Sequence, residues 1–370
     1  MLKILQFPCD FLREEKKRET RRKAKQLMLL TVLVLSLLLL LACSYHGKKD
    51  AAHQRTVFAM DTVITLQTYG RGSDAAQSQL EQELHRMDNA WTRTRDTSRL
   101  SQLNRAQGTA VTPEEDIWAM LTAAQEYARM TNGAFDLTVA PLEDLWGFPT
   151  REFRIPKEAE IQEELEHVGM EHVHLEDGQV RLDPGTVVDL GGIAKGCAAE
   201  KAQQIFQEAG IVHGFANLGG DVMLMGGRPD HTPWRVSIQD PSDPSGSIGT
   251  LTIDSGYVLT SGDYQRYFIK DGQRYHHILD PNTGHPASSD LRSVTIVAGL
   301  GDENGRMSDA LSTALFVMGE QASSDFWRAH SQLFEMILVT KDGRVVVSPG
   351  LQETFHLAEK AGYTLDAIGE

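Results

Sequence analysis

The chain has 370 residues, 41% hydrophobic and 24% charged, and its 36 Lys/Arg against 51 Asp/Glu give a formal net charge of −15. That balance excludes a nucleic-acid-binding role built on phosphate contacts, and three cysteines are too few for a disulfide framework. The length allows one large domain or two small ones.

Residues 1–26 are polar and carry nine Lys/Arg, and residues 27–42 are almost wholly apolar. Sixteen residues at a helical rise of ~1.5 Å reach about 24 Å, short of the ~30 Å hydrocarbon core. The stretch therefore reads as the h-region of a signal peptide and not as a permanent span. It ends in Leu40-Leu41-Ala42-Cys43, which resembles the bacterial lipobox, so the expectation is a signal peptide over 1–42 and lipid on Cys43. Removing the 9 basic and 4 acidic residues of 1–42 leaves 27 and 47, a net charge of −20. One further thiol then remains, Cys197, and its place in a helical pattern reads as core packing.

A polar tether is expected over 43–54. Thr56–Thr68 is β-rich and reads as a first strand. Leu80, Leu84, Met87 and Trp91 recur at helical spacing within Asp74–Arg93. Thr94–Gly108 reads as irregular. Pro113–Met130 is a second amphipathic helix, with proline at its start and Asn132-Gly133 as its stop. The run AFDLTVAPLEDLWGFP reads as a loop, Lys157–His167 as a helix, and Val173–Leu175 with Val180–Leu182 as a hairpin.

A strand end at Val187–Asp189, a turn at Leu190-Gly191-Gly192 and a helix over Ile193–Ala209 follow. Such a junction aims backbone N–H groups and a helix dipole at one point. It matches neither nucleotide fingerprint, G-x-x-x-x-G-K-[ST] or G-x-G-x-x-G, so phosphate binding and tight packing both remain open here. A second glycine turn lies in Asn217–Gly227. From Trp234 the pattern is mostly strand, with helices at Asn304–Met318 and Gln321–Ser331, two late strands, and a C-terminal tail over 351–370. The mixture of helices and antiparallel hairpins is α+β.

Two constellations carry chemistry. Asp309 and Thr313 stand four apart on one helix face, a carboxylate and a hydroxyl of the kind that hard cations bind. His276 and His277 are adjacent in a strand, so they point to opposite faces; His277, before Asp280-Pro281, is the better site candidate. The sequence has no G-x-S-x-G elbow, no CxxC and no HExxH, so a serine triad and a zinc site are excluded. What remains points to Mg²⁺-assisted chemistry on a phosphate ester.

Seven segments then fall into one register: FAMDTVITL (58–66), NGAFDLTVAPLEDLWGF (132–148), DLGGIAKGCAAEKA (189–202), NLGGDV (217–222), SGDYQRYF (261–268), HHILDPNTGHP (276–286) and SDALSTALFVMG (308–319). With the lipobox they resemble the FAD:protein FMN transferase (ApbE) family. The resemblance implies a single T-fold-like domain over 55–350, of mixed, mostly antiparallel sheets with packed helices. It implies that FAD is the substrate, that Mg²⁺ engages its diphosphate, and that a Thr or Ser hydroxyl of a target flavoprotein attacks the FMN-side phosphorus and releases AMP. The target is then an exported or membrane flavoprotein of an electron-transfer complex, and the enzyme is lipid-anchored outside the cytoplasm.

By the same resemblance Asp309 and Thr313 are Mg²⁺ ligands, joined by a backbone carbonyl at Gly192 or Ala194. Met60, Ala134, Phe135, Asp136, Asp189, Lys195 and Ile278 contact FAD. His277 accepts the hydroxyl proton, and Asp309 is catalytic through the ion. Two positions depart from the family pattern: Thr94 stands where many members have a flavin-stacking Tyr, with Trp91 one turn away, and Ser312 where some have a further acidic ligand. The competing functions are an FAD pyrophosphatase giving FMN and AMP, and a lipoprotein that only binds flavin.

Overall fold

In the computed structural model the backbone is described for residues 9–49 and 51–369, and the side chains for 16–37 and 51–369. The chain forms two units, Met1–Ala51 and Ala52–Glu370. In the first, α1 (Cys9–Lys49) is one helix that runs from the expected signal peptide into the expected tether. Its large apolar side chains from Leu27 to Leu37 are exposed. Among the described residues no helix is long and apolar enough to cross a membrane. The side chain of Cys43 lies outside the described residues.

The second unit begins inside the expected tether, because His53 and Gln54 already pair with Thr68 and Gln67. The stretch read as one strand is a hairpin, β1 (Ala52–Ala59) and β2 (Thr62–Tyr69). Its two turn residues, Met60 and Asp61, have φ of 54° and 58°. Positive φ at both positions is what a type I′ turn requires, and no Asn or Gly is there to announce it.

Next come α2 (Ser73–Trp91), α3 (Arg99–Arg105), α4 (Glu115–Met130), α5 (Ala140–Trp146) and α6 (Glu158–Leu165), then β3 (Val173–Glu176) and β4 (Gln179–Leu182). The apolar stripes of α2 and α4 are buried as their spacing predicts. α3 and α5 correct the reading of those stretches as loop. Each has seven residues, too few for periodicity to show. Local devices make them instead. Ser98 accepts the Ser101 N–H at the head of α3, while α5 has Pro141 in its first turn, buries Leu142 and Trp146 and stops at Gly147 with φ 79°.

Then follow α7 (Ala194–Glu208), β5 (Gly214–Leu218), β6 (Asp221–Met225), β7 (Trp234–Asp240), β8 (Asp243–Ile253), β9 (Gly256–Gly262), β10 (Tyr267–Lys270), β11 (Gln273–His276) and β12 (Leu291–Ala298). α8 (Asn304–His330) is broken at Gly319 (φ 80°, ψ 175°), where the sequence separates two helices. β13 (Glu335–Thr340), β14 (Arg344–Val347), β15 (Phe355–Leu357) and β16 (Thr364–Ala367) come last. Residues read as a tail thus supply two strands: β15 pairs with β8, and β16 runs parallel to β14. β16 is exposed along its whole length and carries no apolar signal.

The large sheet has the order β1-β2-β5-β6-β9-β12-β13-β14-β16, antiparallel except at β14–β16, and β15-β8-β7 form a second sheet. Alternation assigns each strand's side chains to two cores. Met223 and Met225 of β6 join Leu80, Leu84, Phe206, Leu311 and Phe316 beneath the helices, whereas Val222 and Leu224 join Trp234, Ile238, Leu251 and Phe355 beneath the small sheet. The unit is therefore three layers, helices over a large sheet over a small one, which bears out α+β.

α7 and α8 cross at two glycines. A Cβ on Gly196 would lie 2.3 Å from the Gly305 carbonyl oxygen, and one on Gly305 would lie 2.6 Å from that of Gly196. The contact lets each helix cap the other. Asp309 of α8 accepts the Gly196 N–H (2.8 Å) in the first turn of α7, and Glu200 of α7 accepts the Arg306 N–H (2.8 Å) in the first turn of α8. Neither helix has a side-chain cap of its own.

Replacing Gly196 by Ala forces these backbones apart and is expected to lower stability by about 1–3 kcal/mol. Gly299→Ala, with open space around the added carbon, is expected to stay within about 0.5 kcal/mol. Urea denaturation of the two variants checks the contrast.

Candidate active site

Three turns meet at one end of the large sheet. Met60 and Asp61 join β1 to β2, Gly219 and Gly220 join β5 to β6, and β9 ends at Ser261 and Gly262. Gly219 has φ 72°, and a Cβ there would lie 2.1 Å from Thr62 Oγ1, so the turn packs against β2 without room for a side chain. The turn delivers Asp221 to the head of β6, where its Oδ1 accepts the Thr260 N–H (2.8 Å).

The crossing of α7 and α8 lies over this end. Lys195, in the first turn of α7, forms an ion pair with the buried Asp221. Asp309 lies near both. Burial works against the Lys195 ammonium, but Asp221 and then Asp309 outweigh it and hold its pKa above the ordinary value. Burial pushes the Asp309 carboxyl up to about 6, with Lys195 lowering it and Asp221 raising it further. With all three ionised, the cluster carries a net charge of −1.

One turn along α8, hydroxyls gather. Ser261 Oγ is 2.7 Å from Ser312 Oγ and 3.0 Å from Thr313 Oγ1, and Ser312 Oγ donates to the Asp309 carbonyl (2.8 Å). Asp309 and Thr313 thus share a face, as their spacing predicts. Among the described residues no three His, Cys, Asp or Glu side chains form a metal-holding group. The donors here are one carboxylate and neighbouring hydroxyls, all hard oxygens. That set fits a cation such as Mg²⁺, which keeps water or substrate phosphate in most of its positions. A cation beside Asp309 would also favour its carboxylate form and so offset the burial that raises its pKa.

Gly192 and Ala194 stand at the start of α7. A Cβ on Gly192 would come 3.1 Å from the ring of Phe135, so this turn and the Ala134–Asp136 loop are packed together. The Asp189 N–H donates to the Leu137 carbonyl (2.8 Å), joining the same two segments. Ala134 and Phe135 are buried. Asp136 is occupied internally: Oδ1 accepts from the Thr138 N–H (2.7 Å) and hydroxyl (2.5 Å), and Oδ2 from the Met170 N–H (3.0 Å). Met60 is held at its turn by its N–H on Asp88 (2.9 Å).

Asp189 is tied in two directions, Oδ1 to the Gly191 N–H (2.6 Å) and Oδ2 to Arg93 Nε (2.6 Å). The enclosed Arg93 guanidinium also meets Asp144 (2.9 Å) and Glu143 (3.1 Å). Burial first, then Asp189, pushes the Glu143 carboxyl up to about 7 against the pull of Arg93. Thr94 is exposed, and its hydroxyl is 2.9 Å from that of Thr92. Trp91 is buried with its indole N–H on Asp116 (3.2 Å), lining a cleft with Arg86 and Glu114.

The two histidines diverge as their adjacency predicts. His276 is buried edge-on against Phe316 (5.3 Å), and its Nδ1 has no hydrogen-bond partner. His277 faces Phe148 (6.4 Å), and both its N–H (3.0 Å) and its Nδ1 (3.2 Å) approach the Arg266 carbonyl. A carbonyl only accepts, so Nδ1 carries the proton and Nε2 keeps its lone pair. Burial, then Arg266 and His276, lower the His277 pKa to about 3, which keeps the ring neutral. Ile278 is buried beside it and accepts the Ala287 N–H (2.9 Å).

Asp221, Ser261, Arg266 and Arg93 are additions from the structure. The first three fall within NLGGDV and SGDYQRYF, motifs visible in the sequence but without an assigned role. Arg93 has no sequence signal, since its three acidic partners lie 50, 51 and 96 residues away.

Comparison with known proteins follows the same lines. The family model described as the ApbE family matches residues 60–338. A Vibrio cholerae protein named FAD:protein FMN transferase is 34% identical over 278 residues, 73% of this chain and 81% of that one. A Salmonella typhimurium protein of the same name is 31% identical over 294 residues, 77% and 83% of the two chains. Among solved structures, the ApbE protein of Thermotoga maritima superposes with a TM-score of 0.75 at 33% identity, covering 82% of this chain and 99% of that one. The apo flavinyl transferase ApbE of Pseudomonas stutzeri gives 0.74 at 26% identity, covering 84% and 98%.

Substitutions at two residues test the electrostatics. A carboxyl whose pKa rises on folding binds more protons folded than unfolded, so Glu143 withdraws stability as pH climbs from 4.5 to about 7. Glu143→Gln is therefore expected to gain on the native chain, by on the order of 1–3 kcal/mol, between pH 5 and pH 8. Asp309→Ala removes the cap of α7 and is expected to lose about 1 kcal/mol, whereas Asp309→Asn keeps an acceptor oxygen and most of that stability. Thermal melts across pH read both.

Proposed function

The chain belongs to the ApbE family, and we propose that it is a Mg²⁺-dependent FAD:protein FMN transferase that modifies a Thr or Ser of an exported flavoprotein. The observation that carries this reading is the convergence of Asp309, Lys195 and Asp221 where α7 and α8 cross over the glycine turns. A dinucleotide's diphosphate needs cationic surroundings, and a net −1 cluster joined by a divalent ion becomes +1.

In this reading Asp309 and Thr313 hold the ion, with a carbonyl at Gly192 or Ala194. When bound, Mg²⁺ supplies charge neutralisation to the diphosphate. Lys195 is held by its ion pair with Asp221, so it meets the phosphates with little side-chain freedom left to lose on binding. Met60, Ala134, Phe135, Asp189 and Ile278 border the space for the rest of FAD; Asp136 acts through its loop, since both its oxygens are engaged. The acceptor hydroxyl forms a new O–P bond to the FMN-side phosphorus, the bond from that phosphorus to the AMP oxygen breaks, and AMP leaves. His277 Nε2 takes the hydroxyl proton. A pKa near 3 makes a weak base, and the anionic diphosphate raises it toward the working range.

Lipid attachment at Cys43 outside the cytoplasm belongs to the same reading. It is supported by the Leu40-Leu41-Ala42-Cys43 sequence after the apolar run.

The test is mass spectrometry of an exported flavoprotein domain from the same cell after incubation with the full chain, FAD and Mg²⁺. The expected result is the mass of one FMN on a Thr or Ser, abolished by EDTA. Asp309→Asn is expected to reduce labelling by on the order of 10²-fold or more, with the fold intact. Rapid release of AMP and free FMN with no labelled protein would assign the pyrophosphatase instead, and flavin binding with no AMP a binding protein.

A further inference from the structure

Resting on the transferase reading above, we propose that the β10–β11 hairpin is the docking strip for the acceptor protein, and that it takes an extended apolar segment flanked by carboxylates. Tyr267 and Ile269 are two apart on β10, share one face, and are 38% and 63% exposed. The opposite face is anchored. Phe268 and Tyr275 stack at 5.1 Å and pack on Phe153 (5.0 Å) and Trp146 (5.7 Å). A lone two-stranded hairpin is marginal in water, so this aromatic packing is what holds the strip in shape. On the outer face the Arg274 guanidinium lies 4.1 Å above the Tyr267 ring and donates to Asp263 (3.2 Å).

The strip leads to the reacting centre. β11 ends at His276, and the His277 N–H continues the hairpin ladder onto the Arg266 carbonyl. The four residues of β10 span about 13 Å at ~3.3 Å per residue. A segment lying along them brings a hydroxyl to His277 within a few residues. Charge selects the occupant. Arg266 and Lys270 bracket the apolar pair in sequence and, by alternation, lie on the Phe268 side of the strand; both are exposed and have no ion-pair partner among the described residues, within a chain of net −15. Cations left bare on so acidic a protein favour an anionic neighbour. Ile269 and Lys270 lie at the hairpin tip, the end away from His277, and so serve the acceptor and not the dinucleotide.

The experiment uses the full chain and the flavoprotein domain that the native enzyme labels. Ile269→Asp and Lys270→Glu are expected to lower kcat/KM for that domain at least about tenfold, chiefly through KM. FAD affinity by flavin fluorescence and AMP release without acceptor are expected to stay within about twofold. Changing an acceptor carboxylate near the modified residue to Lys is expected to restore labelling by Lys270→Glu, which a purely structural role would not allow. Should Ile269→Asp lower the melting temperature, the surface variant Lys270→Glu carries the test. Unchanged labelling overturns the strip. So does a parallel loss of FAD affinity, or a defect seen only on anionic phospholipid vesicles. A native enzyme that cleaves FAD but labels no domain sinks the transferase reading itself.

Discussion

The exchange of caps between α7 and α8 is the constraint on which the site depends. Two glycines bring the helix backbones into contact, and each helix then supplies the carboxylate that the other lacks. At one end Glu200 is neutralised by the guanidinium of Arg306 itself (2.7 Å). At the other, Asp309 shares Lys195 with Asp221 and is left short of positive charge. A device that serves packing at both ends thus leaves chemistry at one.

In the transferase reading proposed above, that difference lets a single carboxylate suffice for the ion. A dedicated cage would need several charged ligands, which repel each other and are hard to bury. Here a buried Asp, two Ser hydroxyls and a Thr hydroxyl stand near a lysine, and in that reading a phosphate-bearing substrate would supply the rest. The sheet contributes rigidity. Asp221 is fixed by a β9 N–H, Met60 and Gly219 sit in turns tight enough to exclude alternatives, and His277 extends a hairpin ladder.

The architecture and most elements of the candidate site were legible because their signals are local. The stripes of α2 and α4, the glycine turns before α7 and β6, and the Asp309–Thr313 spacing each occupy a few residues. The elements misread have no such signal: α3 and α5 are too short to show a period, β16 is exposed throughout, and the Met60–Asp61 turn opens on a Met, which rarely adopts positive φ. Nor does any local pattern announce Arg93, whose partners come from two distant segments. The Asp136 carboxylate shows the converse limit. A motif named it, but its own loop takes one oxygen and the Met170 N–H, 34 residues on, takes the other, which a sequence does not reveal.

The pairing of β2 with β5 bears on how the molecule comes to exist. Thr68 must find Gly214, and everything between them, six helices and a hairpin among it, has to be accommodated before the sheet can close. Contacts so remote along the chain make for slow folding. Until that one ladder closes, the facing edges of β2 and β5 stay unpaired and open to proteolysis or to pairing with another chain.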